Sequence, residues 1–492
     1  MSLINVKNLS FGYEGSCDNV FENVSFQIDT DWKLGFTGRN GRGKTTFLNL
    51  LLGKYHYSGT IQANVDFEYF PYKVNDTSQY ALDVMKTICP TAEEWEFIRE
   101  MSLLDVDAEA LYRPFETLSN GERTKVLLAA LFLGENRFLL IDEPTNHLDV
   151  SAREAVGKYL QRKKGFILVS HDRTLLDLCV DHILSINKTN IEICQGNFSS
   201  WQHNKQLQDE FELSKNDKLK KEIDRLSQSA KRSAEWSNKV EKSKNGTKNS
   251  GLRPDKGYVG HKSAKMMKRA KNQENRMLAA AEENSKLLRN IERSDNLKLI
   301  TAEYPKSTLI NAADLSLFYG DTVVCSGVGF KIEKGDRLAV VGKNGCGKST
   351  LLKLLCGENI KYTGLLDIGS NMKISYVSQD TSFLNGGLRE YAEGFGVEES
   401  LFKSMLRKLG FERLQFEKNM GEFSEGQNKK VLIARSLCEQ AHLYIWDEPL
   451  NFIDVISRIQ IEELILKYQP TMIFVEHDIS FQNNIATDIL NL

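Results

Sequence analysis

Short apolar runs recur in the first and last parts of the chain, each followed by a polar or glycine-rich turn. Residues 33–37 and 138–141 in the first part, and 338–341 and 443–446 in the last part, are almost continuously apolar over four or five positions. Runs of this length are typical of β-strands that are covered on both faces. The pattern therefore predicts an α/β fold at each end of the chain.

The middle of the chain follows a helical period instead. Apolar residues keep one helical face at Leu219, Ile223, Leu226, Ala230 and Ala234, and on the return at Met277, Ala281, Leu288 and Ile291, although Asn284 interrupts it. These spacings predict two long helices. Residues 244–257 contain three glycines and a proline and cannot continue a helix. We therefore predict an antiparallel hairpin, which with about 40 residues per arm reaches on the order of 60 Å.

These patterns divide the chain into three parts. We predict an α/β domain over residues 1–197, a helical hairpin linker over 198–302 with its tip near 243–259, and a second α/β domain over 303–492. A chain of 492 residues is too long for one hydrophobic core. It suits two domains of about 200 residues each with a connector.

Composition and charge argue against a membrane protein and show that the linker is basic. With 41% hydrophobic and 26% charged residues, and no window near the roughly 18 uninterrupted apolar residues of a membrane helix, we expect a cytoplasmic protein without a membrane segment. The net charge of −2 conceals a basic linker, because residues 201–300 hold 24 Lys and Arg against 14 Asp and Glu. The excess lies within residues 231–276, which hold 14 basic and 4 acidic residues. Eight widely separated cysteines favour free thiols over structural zinc or disulfides.

One set of motifs occurs twice at almost constant spacing. A phosphate loop at 38–45 recurs at 342–349, residues 118–122 recur at 423–427, Asp142-Glu143 recurs as Asp447-Glu448, and residues 169–172 recur at 475–478. The offsets of 304 to 306 residues indicate that one domain was duplicated.

The repeated loops have the composition of nucleotide phosphate sites. Their backbone N–H groups close around phosphates where glycine allows it, and the following helix adds its positive N-terminal end. Lys44 and Lys348 neutralise phosphate charge, and Thr45 and Ser349 offer a hydroxyl to Mg²⁺. The predicted nucleotide-binding residues of the two loops also include Gly38, Asn40, Gly41, Gly43 and Thr46, and Gly342, Asn344, Gly345, Gly347 and Thr350.

Acidic residues and histidines follow the apolar strands of each repeat. Asp142 and Asp447 are placed to hold the Mg²⁺ shell, and Glu143 and Glu448 to polarise the attacking water. His171 and His477 would contact the γ-phosphate. Such residues on an apolar strand are otherwise usually caps or satisfied core groups, but their spacing to the phosphate loop favours function.

An aromatic residue stands at the same place near the start of each repeat. Tyr13 and Tyr319 each lie four residues after a leucine. Their rings could stack on adenine, which reads the base only weakly. A core aromatic is the alternative.

The motifs together resemble the ATP-binding-cassette (ABC) family, whose signature matches residues 118–122 and 423–427. The resemblance implies two tandem P-loop NTPase domains, here called the first cassette (1–197) and the second cassette (303–492), paired head to tail within one monomer. Each ATP then lies between one phosphate loop and the opposite signature. Lys44 would share a site with Ser424 and Gly426, and Lys348 with Ser119 and Gly121. ATP closes the pair, and hydrolysis to ADP and phosphate releases it.

Two cassettes joined by a basic helical linker resemble the ABC-F subfamily, as do residues 142–149 and 260–269. Finer similarity, at 32–45, 163–172 and 444–451, is to Lsa-type antibiotic-resistance proteins of Gram-positive bacteria. This implies a partner in the bacterial 70S ribosome, near the exit-site tRNA, with the linker tip reaching 23S rRNA at the peptidyl-transferase centre. It also implies protection from lincosamides, streptogramin A compounds and pleuromutilins.

The two cassettes differ at one metal position. Gln379 stands where the family usually has a glutamine in the metal shell, whereas the first cassette has Tyr72. Mg²⁺ coordination in the first site is therefore in question. Both cassettes keep their glutamate, so we expect both sites to hydrolyse ATP.

The composition of the linker indicates RNA binding. Lys and Arg concentrated at the hairpin end, with Trp236 and Tyr258 among them, fit phosphate neutralisation and base stacking. A solvated charged helix pair is the alternative. Lys256 and Tyr258 are the candidates for contact with rRNA. The tip could protect by direct occlusion of the drug or by rearrangement of rRNA, and we favour rearrangement. The competing functions are a housekeeping translation factor and the ATPase subunit of a membrane transporter.

Overall fold

A computed structural model describes residues 2–13, 19–146, 148–186, 191–242, 256–287, 299, 301–320, 322–343, 345–411 and 413–492. The chain divides into two compact units, one formed by Met1–Ser199 with Ser294–Leu492 and the other by Ser200–Arg293. The first unit holds both cassettes, and the second holds the linker. Among the described residues, no helix is long and apolar enough to cross a membrane. The described cysteines are free thiols.

The first cassette contains two sheets. Its strands are β1 (Leu3–Phe11), β2 (Phe21–Asp29), β3 (Lys33–Thr37), β4 (Ser58–Gln62), β5 (Asp66–Phe70), β6 (Arg137–Asp142), β7 (Phe166–Val169), β8 (His182–Ile186) and β9 (Ile191–Gln195). Its helices are α1 (Lys44–Leu51), α2 (Ala81–Ile88), α3 (Glu94–Leu103), α4 (Asn120–Leu131), α5 (Val150–Arg162) and α6 (Arg173–Cys179). The larger sheet has the order β5-β6-β7-β3-β8-β9 and is parallel except for β9, while β2-β1-β4 is antiparallel.

The linker unit contains the two long helices that the apolar spacing predicts, which confirms them. They are α7 (Phe198–Lys242) and α8 (Lys256–Leu287). Gln273 Nε2 donates to Ser229 Oγ at 2.9 Å, so the two helices lie side by side at comparable distances from the connection, as in an antiparallel hairpin. The predicted loop was too long at its end, because α8 already begins at Lys256 and includes Gly257. Leu288, Ile291 and residues 243–255 of the predicted tip lie outside the described residues.

The second cassette repeats the first. Its strands are β10 (Thr308–Tyr319), β11 (Thr322–Glu333), β12 (Arg337–Val341), β13 (Lys361–Ile368), β14 (Ile374–Val377), β15 (Leu443–Asp447), β16 (Met472–Val475) and β17 (Asp488–Asn491). Its helices are α9 (Lys348–Leu355), α10 (Leu388–Gly394), α11 (Glu399–Lys408), α12 (Glu425–Cys438), α13 (Val455–Tyr468) and α14 (Ile479–Ile485). The parallel sheet β14-β15-β16-β12-β17 and the antiparallel sheet β11-β10-β13 confirm the duplicated α/β fold.

Strand order brings the repeated motifs together. In the first cassette β7 lies between β3 and β6, and in the second β16 lies between β12 and β15. The phosphate loop follows β3 or β12, the Asp-Glu pair ends β6 or β15, and the histidine follows β7 or β16. Since carboxyl ends of neighbouring parallel strands meet at one edge of a sheet, each cassette collects its motifs there.

Buried apolar side chains hold this arrangement from both faces of the sheets. In the first cassette Phe36 of β3 packs edge-to-face on Phe47 of α1, with their ring centroids 5.6 Å apart. In the second, Trp446 of β15 is buried against the helical side, and its indole donates to Ser436 Oγ at 2.9 Å. Burying aromatic rings contributes on the order of 2–3 kcal/mol each, which fixes the strands that carry the motifs.

Candidate functional site

Glycine is required at the end of each phosphate loop. Gly43 and Gly347 have φ angles of 91° and 100°, a left-handed conformation that other residues rarely adopt. A Cβ at either position would also lie 2.5 Å from a valine methyl, of Val20 or Val324. The helices α1 and α9 begin directly afterwards, at Lys44 and Lys348, so their free N–H groups face the loops.

The two loop lysines fold back onto their own loops. Lys44 Nζ donates to the carbonyl of Gly38 at 2.7 Å, and Lys348 Nζ donates to that of Gly342 at 2.8 Å. Both ammonium groups are buried, and burial lowers the pKa of Lys44. These lysines therefore lie inside the loops that would surround phosphate. Gly41 and Gly345 share left-handed φ angles of 83° and 81°, while Asn344 lies outside the described residues.

Oxygen donors cluster beside each lysine. Thr45 Oγ1 donates to Asp142 Oδ2 at 3.2 Å, and the hydroxyl of Ser349 stands beside Asp447 in the second cassette. Burial raises the pKa of both aspartates. Asp447 Oδ1 is buried and has no hydrogen-bond partner in the described part of the chain. A carboxylate oxygen left free beside a hydroxyl suits a hard divalent cation.

The first site also contains a tyrosine that the sequence reasoning did not identify. Tyr69 Oη donates to Asp142 Oδ2 at 3.0 Å, and burial raises the pKa of this phenol. Tyr69 lies within β5, where nothing in its spacing distinguishes it from a structural aromatic. Tyr72, at the position of Gln379, is partly exposed.

Each predicted water-activating glutamate lies beside the predicted histidine of its own cassette. His171 Nε2 lies 3.4 Å from Glu143 Oε1, and His477 Nε2 lies 3.3 Å from Glu448 Oε1. Both glutamates have left-handed φ angles, 49° and 47°, which cost non-glycine residues free energy and are typical of functional positions. The conformation is the same in both repeats.

The surroundings of the two glutamates nevertheless differ. Glu448 accepts hydrogen bonds from Gln379 Nε2 at 2.9 Å and Asn451 Nδ2 at 2.6 Å. Burial alone would raise the pKa of Glu448, but the hydrogen bond and charge of His477, with Lys429 and Lys348, hold it below its usual range.

Glu143 lacks these partners. Its Oε1 is buried and unpaired among the described residues, since the geometry towards His171 is not that of a hydrogen bond. Burial raises the pKa of Glu143 to about 8. Burial, with the charges of Lys44 and Arg458, also holds the pKa of His171 well below its ordinary value. The two sites are thus chemically unequal.

Each signature segment is the start of a helix. Ser119 caps α4 and Ser424 caps α12, accepting hydrogen bonds from the N–H of Glu122 at 3.2 Å and of Gln427 at 3.3 Å. The side chains of Glu122 and Gln427 bond back to the serine N–H in a capping box. The signature therefore presents a fixed, positively polarised helix end, which favours an anion.

A cavity of about 760 Å³ lies between the two cassettes. Ser119 and Gly121 line it from the first cassette; Lys348, Ser349, Thr350 and His477 line it from the second. The head-to-tail pairing that the resemblance implies thus occurs on this side. On the other side Asn40 Nδ2 donates to the Phe452 carbonyl at 2.7 Å, beside Gly426.

A buried ion pair also joins the cassettes. Arg173 Nη1 donates to Glu462 Oε2 at 3.3 Å, and a second hydrogen bond links Nη2 to Oε1. This pair could not be predicted from the sequence, because its partners are 289 residues apart and match no motif.

The two candidate adenine tyrosines are not core side chains. Tyr13 is 46% exposed, its hydroxyl lies 2.6 Å from Thr46 Oγ1, and its ring meets Phe11 edge-on at 5.1 Å. Tyr319, at the end of β10, is 80% exposed. Both rings are therefore accessible, and adenine stacking remains a prediction.

We expect Gly426→Ala to destabilise the protein more than the equivalent Gly121→Ala. A Cβ at Gly426 would lie 2.4 Å from the Phe452 carbonyl and 2.9 Å from Asn40 Nδ2, whereas one at Gly121 meets only a Leu148 methyl at 3.4 Å. Forced overpacking costs about 1–3 kcal/mol. Thermal melting of the two variants checks this. Equal melting temperatures would contradict the contact at Gly426.

Known proteins and a protein-family model are similar to this chain over both cassettes. The ABC transporter family model matches residues 21–146 and 325–451, one stretch in each cassette. ATP-binding protein Uup of Buchnera aphidicola is 26% identical, over 99% of this chain and 80% of that protein. Ribosome protection protein VmlR of Bacillus subtilis is 26% identical, over 97% of this chain and 84% of VmlR.

Solved structures share the fold. The archaeal ribosome recycling factor aABCE1, in complex with stalk protein aP1, superposes with a TM-score of 0.62 at 19% identity, covering 98% of this chain and 87% of that one. RNase-L Inhibitor gives a TM-score of 0.62 at 18% identity, covering 99% and 87%. Tandem cassettes that bind ATP make this chain an ATPase, which converts ATP and water to ADP and phosphate. The chain belongs to the ATP-binding-cassette family and, within it, to the ABC-F subfamily.

Proposed function

We propose that this protein binds the bacterial 70S ribosome and protects it from antibiotics of the peptidyl-transferase centre. The drugs are lincosamides, streptogramin A compounds and pleuromutilins. The observation that carries the proposal is a pair of cassettes on one chain with a long basic hairpin between them in sequence. Similarity to VmlR, a ribosome protection protein by name, over nearly the whole chain supports it.

ATP acts as the closing ligand in this proposal. One molecule binds between the loop of Lys348 and the signature at Ser119 and Gly121, where the cavity supports the assignment. A second binds between the loop of Lys44 and the signature at Ser424 and Gly426. Each γ-phosphate then contacts both cassettes only when they are shut, so ATP favours closure by its stronger binding to that state.

The chain's own groups supply hydrolysis. Glu143 and Glu448 accept the proton of an attacking water, and His171 and His477 orient the γ-phosphate. The Glu–His separations of 3.4 and 3.3 Å support these roles. Hydrolysis removes the bridging phosphate and releases the protein from the ribosome.

The oxygen donors beside each lysine fit Mg²⁺. Thr45 and Asp142 would hold it in one site, and Ser349, Asp447 and Gln379 in the other. The unpaired Asp447 Oδ1 supports this, as does the preference of Mg²⁺ for few protein ligands together with phosphate oxygens. Bound Mg²⁺ would neutralise charge on the phosphates.

The linker is the proposed RNA-binding element. Its basic excess lies around residues 231–276, and Tyr258 near the start of α8 is 66% exposed. Such a surface suits rRNA phosphates and a base for stacking. We propose that its tip, including Lys256 and Tyr258, approaches 23S rRNA at the peptidyl-transferase centre from the exit-site tRNA region. There it rearranges the rRNA of the drug site.

Expression in a susceptible Gram-positive host tests the drug specificity. We expect the inhibitory concentrations of lincomycin and a pleuromutilin to rise above those of the empty-vector host. A variant with Lys44→Ala and Lys348→Ala controls for expression and should give no protection. Inhibitory concentrations equal to the empty vector would reject the resistance function.

A housekeeping translation factor is the second candidate. Uup and the putative ATP-binding protein YdiF of Bacillus subtilis match this chain at 26% and 25%, as strongly as VmlR does. Such a factor would pellet with ribosomes but leave drug susceptibility unchanged. A transporter ATPase, the third class, would pellet with membranes instead; we propose a cytoplasmic location.

A further inference from the structure

The second cassette has a buried lysine that the first lacks. Lys429 lies five residues after the capping Ser424 on α12, and the equivalent position on α4 is Thr124. Lys429 is 2% exposed. Its Nζ donates to the carbonyls of Ser378 at 2.8 Å, Glu448 at 3.1 Å and Asp447 at 3.5 Å. These three acceptors match the three donors of an ammonium group.

These carbonyls surround the glutamate of the second site. Ser378 precedes Gln379, whose side chain donates to Glu448 Oε2 at 2.9 Å. The Glu448 carbonyl belongs to the residue with the left-handed φ of 47°. Lys429 therefore joins the segment that carries Gln379 to the turn that carries Glu448. A threonine hydroxyl is one bond from Cβ and cannot span the distance that the four bonds from Cβ to Nζ of a lysine cover.

A second exchange compensates the buried charge. Glu476 stands where the first cassette has Ser170, and its buried carboxylate attracts the Lys429 ammonium. Glu476 is itself fixed, accepting from the N–H of Leu450 at 2.7 Å and of His477 at 3.1 Å. The second cassette thus has a buried lysine and a buried glutamate where the first has a threonine and a serine. Since buried charges are costly unless paired, the two exchanges belong together.

We propose that Lys429 is a positioning residue for Glu448, confined to the second ATP site. This inference rests on the proposed role of Glu448 in hydrolysis. Lys429 does not touch the reacting atoms; it fixes the peptide whose orientation aims the carboxylate. A small misplacement of a catalytic group can lower the rate up to about a hundredfold. The hydrogen bonds of Lys429 hold only one of the two glutamates, so the two sites become unequal.

The test replaces Lys429 and Glu476 by the residues that the first cassette has at the equivalent positions. Lys429→Thr with Glu476→Ser removes the buried ammonium together with a carboxylate that attracts it. The full chain is assayed for ATP hydrolysis, both as wild type and with Glu143→Gln, where turnover depends on Glu448. We expect kcat to fall about twofold in the wild type, because one of the two sites is impaired, and about tenfold with Glu143→Gln. KM for ATP and thermal melting should stay unchanged.

Two matched variants sharpen the result. Lys429→Arg keeps donors and charge and should restore much of kcat, whereas Thr124→Val in the first cassette should leave turnover unchanged. An unaltered kcat in the exchanged variant would overturn the role of Lys429, as would a fall in kcat and melting temperature together. A Glu143→Gln, Glu448→Gln double variant that still hydrolyses ATP would instead overturn the proposed glutamate roles.

Discussion

Replacing Glu143 and Glu448 together by glutamine is expected to abolish steady-state ATP hydrolysis and hold the protein on ribosomes. The amide keeps the shape of the side chain but cannot accept the proton of the attacking water, and positioned general bases contribute about 10²–10⁴ in rate. The phosphate loops remain intact, so ATP still closes the cassettes. Turnover at saturating ATP and co-sedimentation with ribosomes measure the two effects.

The controls for this variant come from the same chain. Glu390→Gln changes an exposed glutamate on α10 in the same way and should leave both measurements unchanged. At neutral pH Glu448→Gln alone should lose more turnover than Glu143→Gln alone, because hydrogen bonds and neighbouring cations favour the ionised Glu448 whereas burial favours protonated Glu143. Ribosome association that does not rise in the double variant would contradict the release step.

The difference between the sites extends to the contact between cassettes. Arg173 of α6 pairs with Glu462 of α13 across that contact. The equivalent positions in the exchanged orientation hold Ile479 and Gly157, so no such ion pair is possible there. Removing one partner of a buried pair usually costs about 3–5 kcal/mol. The cassettes are thus related by duplication, but this ion pair forms on only one side of their contact. The difference gives a physical basis for unequal behaviour of the two ATP sites.

The features that could be predicted from the sequence are those that depend on residues close together along the chain. Phosphate loops, signature caps and the Asp-Glu pairs depend on residues that are close along the chain, and the duplicated spacing marked them. The helical period likewise predicted α7 and α8. The approach of the Asn40 side chain to the Phe452 carbonyl could not be predicted, because it joins residues 412 positions apart. Tyr69 and Lys429 were missed for a related reason: each acts through tertiary contacts, and neither changes an apolar period or completes a motif.

Deleting residues 246–255 is expected to abolish antibiotic protection while leaving basal ATP hydrolysis intact. The deletion removes most of the segment between the end of α7 at Lys242 and the start of α8 at Lys256, so both helices keep their described lengths. In our proposal hydrolysis depends on groups within the cassettes, whereas protection requires contact with rRNA. Inhibitory concentrations of lincomycin should therefore fall to those of the empty-vector host, and kcat of the purified protein should stay at the wild-type value.

Charge near the middle of α7, away from the deleted segment, provides the matched control. Lys218→Ala with Lys221→Ala removes two exposed cations of α7 far from the deleted segment, and it should retain protection with only a weaker salt dependence of ribosome binding. If these substitutions abolished protection as fully as the deletion, general electrostatic attraction rather than the tip would account for the function. Loss of hydrolysis together with protection in the deletion variant would mean that the hairpin supports the fold of the cassettes, because no catalytic group lies within it.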